Sequence, residues 1–261
     1  MPLKCTVMHT ISAVSYLNTK PFLYGLEHTD LLQNINLVQH FPAMCAEKLI
    51  SGEVDIGLVP VAVIPLLTNP QIVAPYCIGA DGKVDTVCLF SEVPLEEIET
   101  IYLDYQSRTS VQLVQILCRE YWKKEVVFAN AFPGYESEIG GKTAGVVIGD
   151  RAIHLHKRFS YVYDLAEHWK LHTGLPFVFA AWVSCRTLPS GFLAEFAASL
   201  QYGLDHRAAL FSQFAQLDSD YFSVEKYFME TIHYSLTPQL QQGLELFMRK
   251  LHPDKQVMYC F

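Results

Sequence analysis

Residues 42–61, PAMCAEKLISGEVDIGLVPV, change hydrophobic period part-way along, and that change decides the fold class. Pro42 suits the first turn of a helix, where its missing N–H costs no hydrogen bond. The helical period holds to about Ser51, and Gly52 supplies the left-handed residue that ends a helix. From Val54 to Val59 the chain is then almost continuously apolar, as in a strand covered on both faces. A helix feeding a doubly buried strand is half of a βαβ unit, so the reading is α/β with a largely parallel sheet.

Upstream, Ile35 to Phe41 reads as a strand. Before it, Asn18 or Thr19 caps a helix with Pro21 in its first turn that continues through Phe22, Leu23 and Leu26. Cys5 to Ile11 is the first predicted strand. Downstream, Asp81-Gly82 between Ile72–Ile78 and Val84–Phe90 is a hairpin signal, so the sheet is expected to be mixed there. The alternation then restarts, with strands at Ile101–Leu103, Val126–Ala129 and Ala144–Ile148 and a helix at Val111–Tyr121. After Pro176 the run PFVFAAWV reads as a strand, and Gly191 to Leu251 as almost entirely helical. There Thr237 caps a helix with Pro238 first, and Leu240, Leu244, Phe247 and Leu251 form its core stripe.

Two α/β units joined by extended segments near 85–91 and 177–183 predict two lobes, residues 1–90 plus 178–261 and residues 91–177, with mixed sheets, two crossover strands and a helical C-terminal part. A ligand then belongs between the lobes, outside the carboxyl ends of the strands.

The chain has 261 residues, 51% hydrophobic and 18% charged, enough to fill a sizeable core and too apolar for a disordered or coiled-coil class. Its 19 Lys and Arg face 27 Asp and Glu, a net charge of −8, with no basic run. Nucleic acid and anionic membrane surfaces are therefore excluded as expected partners. The first residues carry no apolar run of signal-peptide length, so a cytoplasmic location is expected. The cysteines Cys5, Cys45, Cys77, Cys88, Cys118, Cys185 and Cys260 are odd in number and never spaced CxxC, which argues for reduced, buried thiols.

The strand-to-helix junctions are where chemistry is expected. At the first, Ser15-Tyr16-Leu17-Asn18-Thr19, hydroxyl and amide groups either cap the helix or present donors to an anion. At the second, Val59-Pro60-Val61 offers shape alone. Ser91 either donates to a ligand or starts a turn. At Asp104-Tyr105-Gln106-Ser107-Arg108-Thr109-Ser110, several hydroxyls and an Arg precede a helix, more than one cap requires, and they favour a carboxylate or phosphate site. Gly149-Asp150-Arg151 offers a carboxylate facing the cleft or an Asp–Arg pair closing a turn. Gly141-Lys142-Thr143 lacks the earlier glycine of a phosphate loop, since Glu136 stands there. There is no dinucleotide fingerprint and no nucleophile elbow. His154-x-His156 lacks third and fourth ligands, so no metal is expected.

Taken together, SYLNTKP (15–21), SGEVDIGLVPV (51–61), LFS (89–91), LDYQSRTS (103–110), IGDRA (148–152) and TGLPFVFAAWV (173–183) resemble the menaquinone-biosynthesis family of the futalosine route, and more closely its chorismate dehydratase branch. The resemblance spans residues 11 to about 185; the helical tail is generic. It implies a two-lobed periplasmic-binding-protein-like fold of type II, a small dicarboxylate substrate, chorismate, and loss of water without cofactor or metal. It assigns Ser15, Asn18 and Thr19 to the first junction, Ser91 to the crossover, Ser107, Arg108, Thr109 and Ser110 to a carboxylate loop, and Gly149, Asp150 and Arg151 to the last junction. Thr86-Val87-Cys88 departs from the family pattern in strand packing. Within these groups Asn18 is the expected orienting residue, with the substrate's own enolpyruvyl carboxylate as the base and Asp150 as the rival base; Arg108 and the helix amino ends are expected to supply the positive field. Two other readings share the architecture: a non-catalytic small-anion receptor, and the related 1,4-dihydroxy-6-naphthoate synthase.

Overall fold

The computed structural model describes residues 8–261. In chain order the elements are β1 (His9–Val14), α1 (Lys20–Glu27), β2 (Ile35–His40), α2 (Pro42–Ile50), β3 (Ile56–Pro60), β4 (Gln71–Ala80), β5 (Val87–Ser91), β6 (Thr100–Leu103), α3 (Thr109–Ile116), β7 (Val127–Asn130), β8 (Thr143–Ile148), α4 (Asp150–Ile153), β9 (Tyr161–Asp164), α5 (Leu165–Thr173), β10 (Phe177–Ser184), α6 (Ser190–Asp205), β11 (His233–Ser235) and α7 (Pro238–Leu251).

The strands form a six-stranded sheet, β11-β4-β10-β3-β1-β2, and a five-stranded sheet, β7-β6-β8-β5-β9. In the first, β1 is parallel to β2 and β3, while β10 is antiparallel to β3 and β4. In the second, β6 is parallel to β7 and β8, while β5 is antiparallel to β8 and β9. Every residue of β3 is buried, as its apolar run implied, and it lies between β1 and β10. Gly52 follows α2 with φ +73°, the left-handed stop read from the sequence.

Several expectations need correction. The hairpin across Asp81-Gly82 does not form, because β4 and β5 lie in different sheets. The chain does bend there, with Gly82 at φ +105° and Asp85 at φ +64°. However, β10 and β11 already occupy both edges of β4, so β5 is carried to the other sheet. The first strand runs His9–Val14 rather than Cys5–Ile11, its register continuing to Val14 opposite His40; Cys5 to Val7 lie outside the described residues. The predicted Val111–Tyr121 helix starts earlier, at Thr109, and its last turns widen into a π-helix over Leu117–Trp122. The C-terminal part is almost entirely helical as expected, with one short strand, β11, joining the edge of β4 with Tyr234 buried.

The chain changes sheet between Ala80 and Val87 and returns between Asp164 and Phe177, so the two segments expected to cross, 85–91 and 177–183, hold the first strand after each crossing. One carboxylate ties the crossings together. Asp164, buried, accepts from the N–H groups of Val84 (2.8 Å) and Asp85 (2.7 Å) through Oδ2 and from those of Ala166 (3.0 Å) and Glu167 (3.1 Å) through Oδ1, capping α5. Burying a carboxylate costs less when each oxygen is hydrogen-bonded in this way.

Candidate active site

The turn after β1 carries the first group of polar side chains. Its position is set by α1, which packs on α6 at a backbone-to-backbone approach: a Cβ at Gly25 would meet the Ser199 carbonyl at 1.9 Å, and one at Gly203 the Pro21 carbonyl at 1.9 Å. Leu17–Thr19 forms a 3₁₀ turn before Lys20 starts α1. Thr19 stands at the helix N-cap, but its side chain makes no cap bond; its hydroxyl donates to Asn18 Oδ1 at 3.1 Å. The capping role expected of Asn18 or Thr19 is thus replaced by a bond that orients the Asn18 amide.

The second group comes from the start of α3. Ser107 Oγ accepts from the Ser110 N–H at 3.0 Å, fastening the first turn. Thr109 Oγ1 donates to the Phe179 carbonyl (3.0 Å) and accepts from the Ala62 N–H (3.2 Å), so one hydroxyl binds α3 to the six-stranded sheet side. Among the described residues the Ser110 hydroxyl has no protein partner.

These groups converge on one cavity, lined by Tyr16, Asn18, Thr19, Thr86, Ser107, Thr109, Ser110 and Gly149, with apolar walls from residues such as Ile78, Ile148 and Phe179. Among the described residues no charged side chain lines it. Gly149 is required twice over: its φ is +67°, and a Cβ there would meet the Tyr16 ring at 2.7 Å. The Tyr16 hydroxyl donates to Gln106 Oε1. Burial, and Asp104 nearby, push this phenol well above its ordinary value.

Other expected site residues face elsewhere. Ser91 Oγ donates to the Val93 carbonyl (2.8 Å) and accepts from its N–H (3.1 Å), so it starts a turn. Arg108 does not line the cavity; its guanidinium bonds the carbonyls of Tyr105 and Ser107 and the exposed Glu47. Arg151 is committed to Asp104 (2.6 Å), whose side chain is fully buried, and to Glu136 (2.5 Å). Asp150 Oδ1 accepts from the Leu17 N–H at 2.9 Å, joining α4 to the turn before α1, and it does not line the cavity. Burial raises its carboxyl, opposed by the Leu17 bond and by Lys20. Ser15 lies at the junction but outside the cavity lining; its N–H bonds the His40 carbonyl. The positive potential available to a ligand is therefore that of backbone and neutral donors, above all the α3 amino end.

Sequence reasoning passed over Tyr16, Thr86 and Tyr227. Tyr16 lies inside a junction motif that marks no role for it, and Thr86 carries only a strand-packing signal. Tyr227, whose hydroxyl lies 2.7 Å from Thr86 Oγ1, comes from the helical tail, where no sequence pattern marked it. Among the described residues no group of three or more His, Cys, Asp or Glu is placed to hold a metal ion. His156 donates from Nε2 to the Asp85 carbonyl at 2.6 Å.

The sequence pattern of a protein family described as menaquinone biosynthesis matches residues 9–253. The chain belongs to the menaquinone-biosynthesis family. A family relative, the chorismate dehydratase of Thermus thermophilus, is 31% identical over 198 residues, covering 67% of this chain and 69% of the relative. Among solved structures, a protein of Archaeoglobus fulgidus superposes with a TM-score of 0.74 at 13% identity, covering 95% of this chain and 98% of its own. The alkanesulfonate-binding protein of Xanthomonas axonopodis pv. citri, bound to MOPS, superposes with a TM-score of 0.62 at 14% identity, covering 92% and 90%. The protein thus has the two-lobed periplasmic-binding-protein-like fold of type II. Among the described residues no helix is long and apolar enough to cross a membrane.

Proposed function

We propose that the protein is a chorismate dehydratase, converting chorismate to 3-[(1-carboxyvinyl)oxy]benzoate and water. The observation that carries this reading is the convergence of Asn18 and Thr19 from one junction and Ser107 and Ser110 from another on a single uncharged cavity. The Thermus relative supports it independently. Chorismate brings two carboxylates and a leaving hydroxyl, and hydroxyls, an amide and a helix amino end can hold these without a cation.

In the elimination, the ring carbon bearing the ether loses its proton. That electron pair becomes the new ring double bond, and the neighbouring hydroxyl departs, leaving as water once protonated. The ring carboxylate, conjugated to the deprotonated carbon, spreads the developing charge, and aromatisation drives the step. The enolpyruvyl carboxylate of the substrate is the base in this reading, held over the proton by the cavity donors, so the protein contributes positioning and electrostatic fit. Asp150 fits the role of base less well, because its Oδ1 accepts from the Leu17 N–H and the residue does not line the cavity.

The test is incubation of purified protein with chorismate, following loss of the diene absorbance and identifying the product by mass. Turnover to the benzoate is the expected result. Tight binding of chorismate without turnover would identify a small-anion receptor instead.

A further inference from the structure

One residue of the turn after β6 is bonded through every polar group it has. Gln106 donates its backbone N–H to Asp104 Oδ1 (2.9 Å) and a side-chain N–H to the Tyr105 hydroxyl (2.9 Å), both within its own turn. Its two oxygens reach elements on the side of the six-stranded sheet. Oε1 accepts from the Tyr16 hydroxyl, in the turn after β1, and the backbone oxygen accepts from the Ala43 N–H (3.1 Å) in the first turn of α2. A first-turn N–H has no partner within its own helix, so this bond satisfies a donor that would otherwise need water. Tyr16, Pro42 and Ser107, all next to these bonds, line the cavity, whereas Gln106 is half-buried and outside the lining. It stands at the rim, between these wall residues and solvent.

At the crossings the bonds are of another kind. Thr109, which holds Phe179 and Ala62, and Asp164, which holds Val84 and Asp85, are both buried. Tyr16 and Gln106 are each only half-buried. Local opening of a protein starts where the fewest buried contacts resist it. We propose that Gln106 and Tyr16 form a latch: the cavity admits and releases its ligand where the Tyr16–Gln106 and Ala43–Gln106 bonds part, while the buried bonds at the crossings stay made. The latch contains no ligand atom, so it holds the cavity shut filled or empty alike. Weakening it speeds entry and release together and leaves affinity nearly unchanged. A side chain that touched the ligand would behave differently, since its loss raises the release rate and the dissociation constant and leaves entry unmoved.

Two variants weaken the latch without removing a wall. Tyr16→Phe keeps the ring that packs on Gly149 and removes the hydroxyl, and Gln106→Leu removes the amide and keeps the backbone bond to Ala43. The inference rests on the dehydratase reading for its ligand, the product 3-[(1-carboxyvinyl)oxy]benzoate, whose binding and release are followed by stopped-flow fluorescence. In each variant kon and koff should both rise by about two- to ten-fold, the scale of one hydrogen bond, with Kd within about two-fold of the wild type. The double variant should match Gln106→Leu, because both changes break the same bond. A rise in koff alone would make these residues ligand contacts, and unchanged rates in both variants would mean that the rim does not gate; either result overturns the inference. Failure of the product to bind the wild type would count against the dehydratase reading, and a readout without ligand then decides on the latch. Tyr16→Phe does not touch the Ala43–Gln106 bond, yet hydrogen exchange of the Ala43 amide should quicken by about two- to ten-fold in that variant, since the two bonds part together. The Val84 and Asp85 amides, held by Asp164, should exchange as in the wild type. An unchanged Ala43 amide, or equal acceleration at all three, would refute the proposal.

Discussion

The cavity wall and the ion pairs around it are built from different chemistry. The wall carries hydroxyls, an amide and backbone donors. Around it stand ion pairs: Arg151 with Asp104 and Glu136, Arg108 with Glu47, and Lys250 of α7 with Glu120 beyond α3. A free cation in the wall would bind a dianion strongly, but it would stabilise bound substrate and transition state alike, which adds affinity without speeding the chemical step. Keeping the wall neutral leaves orientation as its work, while charge holds the frame.

The sharpest way to break this comparison is to remove a frame charge. Asp104 is fully buried, and apart from Arg151 its partners are the N–H groups of Gln106 (2.9 Å) and Ile148 (3.0 Å). Arg151→Met should therefore strand a buried carboxylate and destabilise the fold by about 3–5 kcal/mol in urea or guanidinium unfolding. A variant as stable as the wild type but with weakened ligand affinity would return Arg151 to the substrate.

Adding a charge to the wall is the converse. Asn18→Asp replaces donors facing the cavity with a carboxylate beside a dianionic substrate, and turnover should fall by at least about a hundred-fold. Since Thr19, not Asn18, holds the N-cap position of α1, the melting temperature should move little. Near-normal turnover would reduce Asn18 to a structural residue of the turn.

The same contrast explains what was legible in the sequence. Local periodicity located β3, α2, β6, β8 and α7 because each is decided by burial along its own length. The hairpin at Asp81-Gly82 was misread because pairing depends on whether the edges of β4 are free, and β10 and β11, far away in sequence, decide that. At the site, Asn18, Thr19, Ser107, Thr109, Ser110 and Gly149 stood in junction motifs and do line the cavity. Arg108 and Arg151 stood in the same motifs, yet their partners Glu47, Glu136 and Asp104 lie on other elements or loops, and motif position alone cannot say which way a long side chain turns. Thr86 and Tyr227 had no signal, because their bond joins residues of different segments, one of them in the generic helical tail.

The smallest expected effect tests whether the outer ion pairs matter to stability at all. Glu120 bonds Lys250, lies 2.6 Å from Arg119, and sits 3.6 Å from His172 of α5. Partial burial raises its carboxyl, but the bonds from Lys250 and Arg119 prevail and bring it down from 4.5 to about 2. Between those values the unfolded chain binds the proton that the folded chain refuses, so stability rises with pH across this window and is lost as pH falls through it. Because the group is a quarter exposed, solvent screening trims the contribution to on the order of 1 kcal/mol. Glu120→Gln should accordingly be less stable than the wild type by about that amount at pH 6, with the gap closing as the pH approaches 2, measured by urea unfolding across the range. A gap of constant size at every pH would mean that Glu120 acts through packing, and that the ionic frame is confined to Arg151 and its buried partner.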